Sequence, residues 1–193
     1  MKSRYLTDDE ISRLCACLSA YEWLPLRVSS ETGLRIGDVL KIKVSDIDEK
    51  GRLTYCAQKT GKDGIIKLKN STVKAMLGGA GKEFVFESPI VAGQPLSRQA
   101  AWQRIKRAAY RAGVDVNGCS PHSLRKAYAV ALYARKGIGA VREALQHSSD
   151  DVTRIYALSD WSTGENANLP LRRADIELII AAVKKSLEMD KAC

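Results

Sequence analysis

The 193-residue sequence predicts a mainly α-helical fold with one small antiparallel β-sheet, an α+β arrangement. Three observations predict it. Apolar residues recur at three- and four-residue spacing through most of the chain, the pattern of amphipathic helices. Only residues 51–68 change period and read as paired strands. Glycine and proline fall at the edges of these segments, where they end or start elements.

The elements follow in order. Thr7-Asp8-Asp9-Glu10 is a capping box, and it opens a helix through Ile11, Leu14, Cys15 and Leu18. A second helix covers about 21–32 and stops at Gly33. A third runs from Ile36 or Gly37 to about Lys43. Residues 51–57 form a strand and 65–68 its partner, with Lys59–Gly64 as the hairpin between them. Asn70 or Ser71 caps a helix to about Leu77, and Glu83–Phe86 is a short apolar segment. Ser97 leads into a basic helix over about 98–112, ended by Gly113. Ser120 and Pro121 start another, which Gly137 stops. Short helices over 138–146 and 149–156 follow, then a polar stretch from Ser159 to Pro170. A last helix, about 171–189, has Ile176, Ile179, Ile180 and Val183 on one face.

Composition bounds the function. Hydrophobic content of 45% and charged content of 27% are those of a globular chain. No apolar run approaches the roughly 18–20 residues that span a bilayer, so no membrane partner is expected. The first residues have no apolar core of a secretory signal. The five cysteines are scattered without a C-x-x-C pair, which fits reduced thiols in a cytoplasmic protein and no zinc ribbon. Net charge is +9, and it is unevenly spread. Residues 51–111 hold 12 basic and 3 acidic side chains, a net +9, while the rest of the chain sums to zero. Such a local field attracts a polyanion, or is simply a basic solvated face.

The chain has only two histidines, and both sit in polar clusters. His122 lies three residues before Arg125, and His147 nine before Tyr156. These residues suit phosphodiester chemistry without a metal. No carboxylates cluster at Mg²⁺ spacing, and no Gly-x-x-x-x-Gly-Lys loop occurs. Transition-state charge then falls to arginines, whose fixed fork of donors stays charged. Thr32-Gly33-Leu34-Arg35 puts one arginine at a helix entry, with Asp38 on the same face to orient neighbours. Arg125 supplies the second. A hairpin lysine, Lys59 in preference to its rival Lys62, can protonate a leaving alkoxide. A tyrosine can act as the nucleophile.

The ordered set Thr-Gly-Leu-Arg35, hairpin Lys59, His122-x-x-Arg125, Leu-x-His147 and Tyr156 resembles the tyrosine recombinase (phage integrase) family. The resemblance spans about residues 5–160, the family's catalytic domain with its DNA breaking-rejoining fold. It implies that Arg35 and Arg125 clamp the non-bridging oxygens and that Lys59 is general acid to the 5′-hydroxyl. It implies that His122 assists proton transfer from Tyr156 and that His147 hydrogen-bonds the scissile phosphate. Tyr156 would form a 3′-phosphotyrosyl link, with no cofactor, metal or ATP. Implied partners are double-stranded DNA and further copies of the chain, as a tetramer on DNA and weakly associated or monomeric without it. The implied location is the cytoplasm, on the nucleoid. Lys62, Arg98, Arg104, Arg107 and Lys126 are the expected DNA contacts. Trp102 is expected in the core, and Tyr128 and Tyr133 in packing.

Two positions depart from the family pattern. Lys126 stands where histidine is common, and Gln146 where glycine is common. Most members carry a DNA-clamping helical domain ahead of the catalytic one, whereas here the pattern starts almost at Met1. The expectation is a catalytic unit over 1–170 with no such preceding domain, and a 171–193 helix that either packs at home or is exchanged between protomers. Two other readings stay open: a type IB topoisomerase-like relaxing enzyme, and a catalytically idle DNA-binding regulator. Arg35 has a bland alternative too, a buried salt bridge with Asp38 or Glu31.

Overall fold

The computed structural model describes residues 3–146. Six α-helices and two strands follow in chain order among them: α1 (Asp8–Ala16), α2 (Ala20–Thr32), α3 (Ile36–Val39), β1 (Arg52–Ala57), β2 (Lys62–Lys67), α4 (Asn70–Gly78), α5 (Arg98–Arg111) and α6 (Pro121–Leu145). The strands form one antiparallel pair, with Arg52 opposite Lys67 and Ala57 opposite Lys62. The mainly helical fold with a small sheet is as the periodicity predicts. The helices expected over 149–156 and 171–189 lie outside the described residues, as do His147 and Tyr156.

Local chemistry sets most boundaries. Thr7 and Ser19 each form a full capping box, with Glu10 and Glu22. Ser97 caps α5 by accepting from the Ala100 amide. Pro121 occupies the first turn of α6, where its missing N–H costs nothing. Some boundaries differ from expectation. α3 ends at Val39 rather than near Lys43, and Lys43–Phe84 pairing takes over there as an isolated bridge. Lys69, not Asn70 or Ser71, is the residue before α4. The hairpin turn is confined to residues 58–61, so Lys62 already belongs to β2.

Two apolar clusters hold the fold. One joins α2, α3, the sheet and α4 around Val28, Leu53, Met76 and Phe86. The other joins α1, α2, α5 and the start of α6 around Leu14, Leu26, Ile105 and Leu124. α2 belongs to both clusters and also packs along α6. Glu31 fastens α2 to α4, bonding Arg27 at 2.9 Å and accepting from the Thr72 hydroxyl at 2.8 Å. Burial pushes the Glu31 carboxyl up, but bonds from Arg27 and Thr72 outweigh it and hold the group below its ordinary value.

α6 is not one straight rod. Gly137, at φ 78° and ψ −177°, interrupts it in a conformation that only glycine adopts readily. At about 1.5 Å per residue, a continuous helix would carry Leu145 about 30 Å from Arg125. Instead the Leu145 carbonyl accepts from Arg125 Nη2 at 2.8 Å, so the chain doubles back. The two arms bury Ala129, Leu132, Val141 and Leu145 between them.

The turn after α2 is equally constrained. Gly33 ends the helix at φ 71°. Ser29 Oγ donates to the Leu34 carbonyl at 2.8 Å, and the Leu34 amide donates to Thr32 Oγ1 at 3.2 Å. A Cβ at Gly33 would fall 2.4 Å from the Tyr128 ring. Tyr128 is thus a packing residue, as expected.

Gly33→Ala is expected to cost about 2–5 kcal/mol, from the positive φ and the overlap with Tyr128 together, measured by chemical denaturation. A loss below about 1 kcal/mol would show that the turn relaxes freely. Glu31 adds a pH dependence. Its folded pKa lies below the unfolded value of 4.5, so its stabilisation is present above that pH and fades as pH falls through the depressed value. Glu31→Gln should therefore lower stability at neutral pH and flatten the acid limb of a stability–pH curve.

Candidate active site

Three separate parts of the chain converge on one cleft of about 390 Å³. The entry of α3 brings Arg35 and α3 itself Asp38, the hairpin turn brings Gln58 and Lys59, and the first turns of α6 bring His122 and Arg125. α5 adds Arg98. Five of the seven expected catalytic and supporting side chains fall within the described residues, and all five line this cleft. Arg35, Asp38, Lys59, His122 and Arg125 are brought together, and nothing is described for His147 and Tyr156.

Arg125 is the most constrained of the set, at 3% exposure. Its Nη1 donates to the carbonyl of Gly33 and its Nη2 to that of Leu145, at the C-terminal ends of α2 and of the returning arm of α6. Both ends carry partial negative charge, which suits a guanidinium. Burial, and after it the like charge of Arg35, pulls Arg125 down to about 10, with Asp38 pushing the other way. It remains a cation at neutral pH. Arg35 stands at the entry of α3, half-buried, and faces the same cleft. Glu31, offered as its salt-bridge partner, pairs with Arg27 and Lys69 instead.

Asp38 does orient a neighbour, though not an arginine at close range. Its Oδ1 accepts the backbone amide of Gln58 at 3.3 Å, fixing the strand end next to Lys59. Lys59 itself is exposed on the turn, and His122 is exposed at the cleft rim. The sequence separation of His122 and Arg125 puts both on one helix face, and both reach the cleft even though one is exposed and the other buried.

The expected DNA contacts divide. Arg98, Arg107 and Lys62 are exposed, and Arg107 pairs with Glu22 at 3.3 Å. Arg104 and Lys126 are corrections. Arg104 is 9% exposed because it falls on the stripe of α5 that carries Ala101, Ile105 and Ala108, and its guanidinium stacks on the Tyr21 ring at 5.1 Å. Lys126 is 4% exposed because the first turns of α6 are enclosed from Ser123 to Ala127. Trp102 reverses in the other direction: expected in the core, it is 44% exposed and has Lys106 over its ring at 5.4 Å. It sits one position off the buried stripe of α5. With Arg98, Gln99 and His122 it lines a second, wider cleft of about 670 Å³ beside the first.

Arg98, expected only as a general DNA contact, lines the same cleft as the expected catalytic residues, its stem lying against Gly37. The only available signal was a glycine at 37, the second residue of α3, leaving room for a long side chain.

The phage integrase family model matches residues 4–162. A "Tyrosine recombinase XerD" from Mycobacterium tuberculosis is 32% identical over 146 residues, covering 69% of this chain and 46% of that protein. A XerD from Proteus mirabilis is 30% identical over 143 residues, 68% of this chain and 45% of the relative. The chain thus spans about half the length of these relatives. Among solved structures, a lambda integrase dimer bound to a core site superposes with a TM-score of 0.75 at 22% identity, over 90% of this chain and 52% of that one. The XerA recombinase gives 0.69 at 22% identity, over 89% and 66%. Fold, cationic cleft and sequence match agree, and the chain belongs to the phage integrase family.

Proposed function

We propose that the chain is the catalytic part of a site-specific DNA recombinase that cuts and rejoins strands through a 3′-phosphotyrosyl intermediate. The observation that carries this reading is the convergence of Arg35, Arg125, Lys59 and His122 on one cleft from three distant segments. Four cationic or proton-carrying groups of these types suit the charge of a phosphodiester and of its transition state.

The reaction would run as two transesterifications. Tyr156 Oη attacks the phosphorus and the bond to the 5′-oxygen breaks, leaving the phosphate joined to tyrosine on its 3′ side. The tyrosine proton passes to His122, and Lys59 Nζ gives one to the departing 5′-oxygen. Arg35 and Arg125, with His147, meet the charge on the non-bridging oxygens. Arg125 acts from a buried position, where a fixed charge does more than in water. Attack by the 5′-hydroxyl of a second strand reverses the step, and no external energy source is required.

Double-stranded DNA would be the substrate, with the exposed Lys62, Arg98 and Arg107 on phosphates. The solved relatives include a lambda integrase tetramer bound to a Holliday junction, which supports a tetramer on DNA for this chain too. Residues 1–170 would form the catalytic unit and 171–193 a segment docked on a neighbouring protomer. The work would be done in the cytoplasm, on the nucleoid. Among the described residues no helix is long and apolar enough to cross a membrane.

A nicked suicide duplex tests the chemistry. The chain should form a covalent DNA adduct that Tyr156→Phe abolishes; binding with no adduct from the unaltered chain would instead identify an idle regulator. The two arginines should separate in their effects. Arg35→Ala should slow adduct formation by about 10²–10³-fold while leaving thermal stability near that of the parent. Arg125→Ala should cost similar activity and, in addition, about 1–3 kcal/mol of stability, because two buried carbonyls lose their donor. Equal stability of the two variants would refute the structural part assigned to Arg125.

A further inference from the structure

The turn that presents Lys59 is held from both sides. On one side, Asp38 Oδ1 accepts the amide of Gln58, the residue before Lys59. On the other, the Thr60 hydroxyl, on the residue after it, bonds Gln146 Oε1 at 3.3 Å. The same Gln146 amide donates from Nε2 to Tyr55 Oη, in β1, at 3.1 Å. Tyr55 is half-buried, and its ring covers Gly64 on the partner strand, so a bond to its hydroxyl grips the hairpin as a whole.

Gln146 sits in an unusual place for such a side chain. With φ 51° and ψ 43°, it is the one non-glycine residue at positive φ among the described residues. Glycine would adopt that conformation more readily. An amide here makes sense only for what it reaches, and it reaches two points on the hairpin, 91 and 86 residues earlier in the chain. Its chain neighbour Leu145 supplies the carbonyl that Arg125 holds. Two consecutive residues at the end of α6 therefore connect the arginine clamp to the lysine turn.

We propose that Gln146 is a positioning residue that fixes the Lys59 turn and so governs proton delivery to the leaving 5′-oxygen. The inference rests on the recombinase reading above. In the step concerned, the bond from Tyr156 Oη to phosphorus forms as the bond from phosphorus to the 5′-oxygen breaks, and the proton on Lys59 Nζ moves to that oxygen. Gln146 touches neither substrate nor reacting atoms.

A leaving group that needs no proton isolates the effect. Two suicide duplexes are compared, one with the natural 5′-oxygen at the scissile position and one with a bridging 5′-sulfur. A thiolate is far more stable than an alkoxide and departs unprotonated. On the natural duplex, Lys59→Ala should lose about 10²–10⁴-fold in the rate of adduct formation. Gln146→Gly should lose about 10–100-fold, the scale of a misplaced catalytic group. On the sulfur duplex both should return to near the parent rate. Gln146→Gly relieves the backbone, so folding is kept; Gln146→Asn, which tolerates the left-handed region but is one methylene shorter, and Thr60→Val should follow the same pattern. Equal losses on the two duplexes, or an unimpaired Gln146→Gly on the natural one, would overturn the role of Gln146 alone. Absence of an adduct from the unaltered chain on either duplex would overturn the recombinase reading and this role with it.

Discussion

One buried guanidinium ties the candidate cleft together. Arg125 lies between the ends of two helices that point their carbonyls at it, and it donates to Gly33 on one side and Leu145 on the other. An ion this deep is costly unless its donors are met, and helix C-termini meet them with partial negative charge already in place. Everything near the cleft is arranged around that contact. Gly33 leads by two residues to Arg35, and Leu145 is followed by Gln146, whose amide reaches the hairpin of Lys59. The residue that would face the substrate's charge is therefore also the one that fixes where the other groups stand.

This double role explains the asymmetry between the two arginines. Arg35 stands half-buried at the entry of a four-residue helix. Arg125 is enclosed and pulled down to about 10 by burial and by Arg35 itself. Two like charges facing one cleft repel each other when it is empty, and an anion between them removes that repulsion.

Much of this was legible in the sequence, for local reasons. The capping box at Thr7, the stop at Gly33 and the Ser120-Pro121 start are short-range signals, and the helices begin and end where those signals lie. The i, i+3 spacing of His122 and Arg125 was enough to place both at one cleft. What failed was phase. Arg104 and Trp102 are two residues apart on α5, and charge alone says that the first is outside and the second inside; the buried stripe of the helix says the reverse. Lys126 was expected outside for the same reason, since nothing local shows that residues 123–127 of α6 are buried. The partnership of Gln146 with Tyr55 and Thr60 depends on the chain doubling back, and no window of sequence contains both ends.

The break at Gly137 makes length, rather than composition, the sensitive property of the returning arm. Each residue of a helix advances its neighbours by about 100° around the axis. One residue added or removed between Gly137 and Leu145 would swing the carbonyl away from Arg125 and the Gln146 amide away from the hairpin, while leaving a perfectly good helix. A side-chain scan of that arm would find only its buried positions, Val141 and Leu145, sensitive, whereas an insertion anywhere along it would be felt. The arm works as a ruler, and its reading is a count of eight residues from the glycine to the carbonyl.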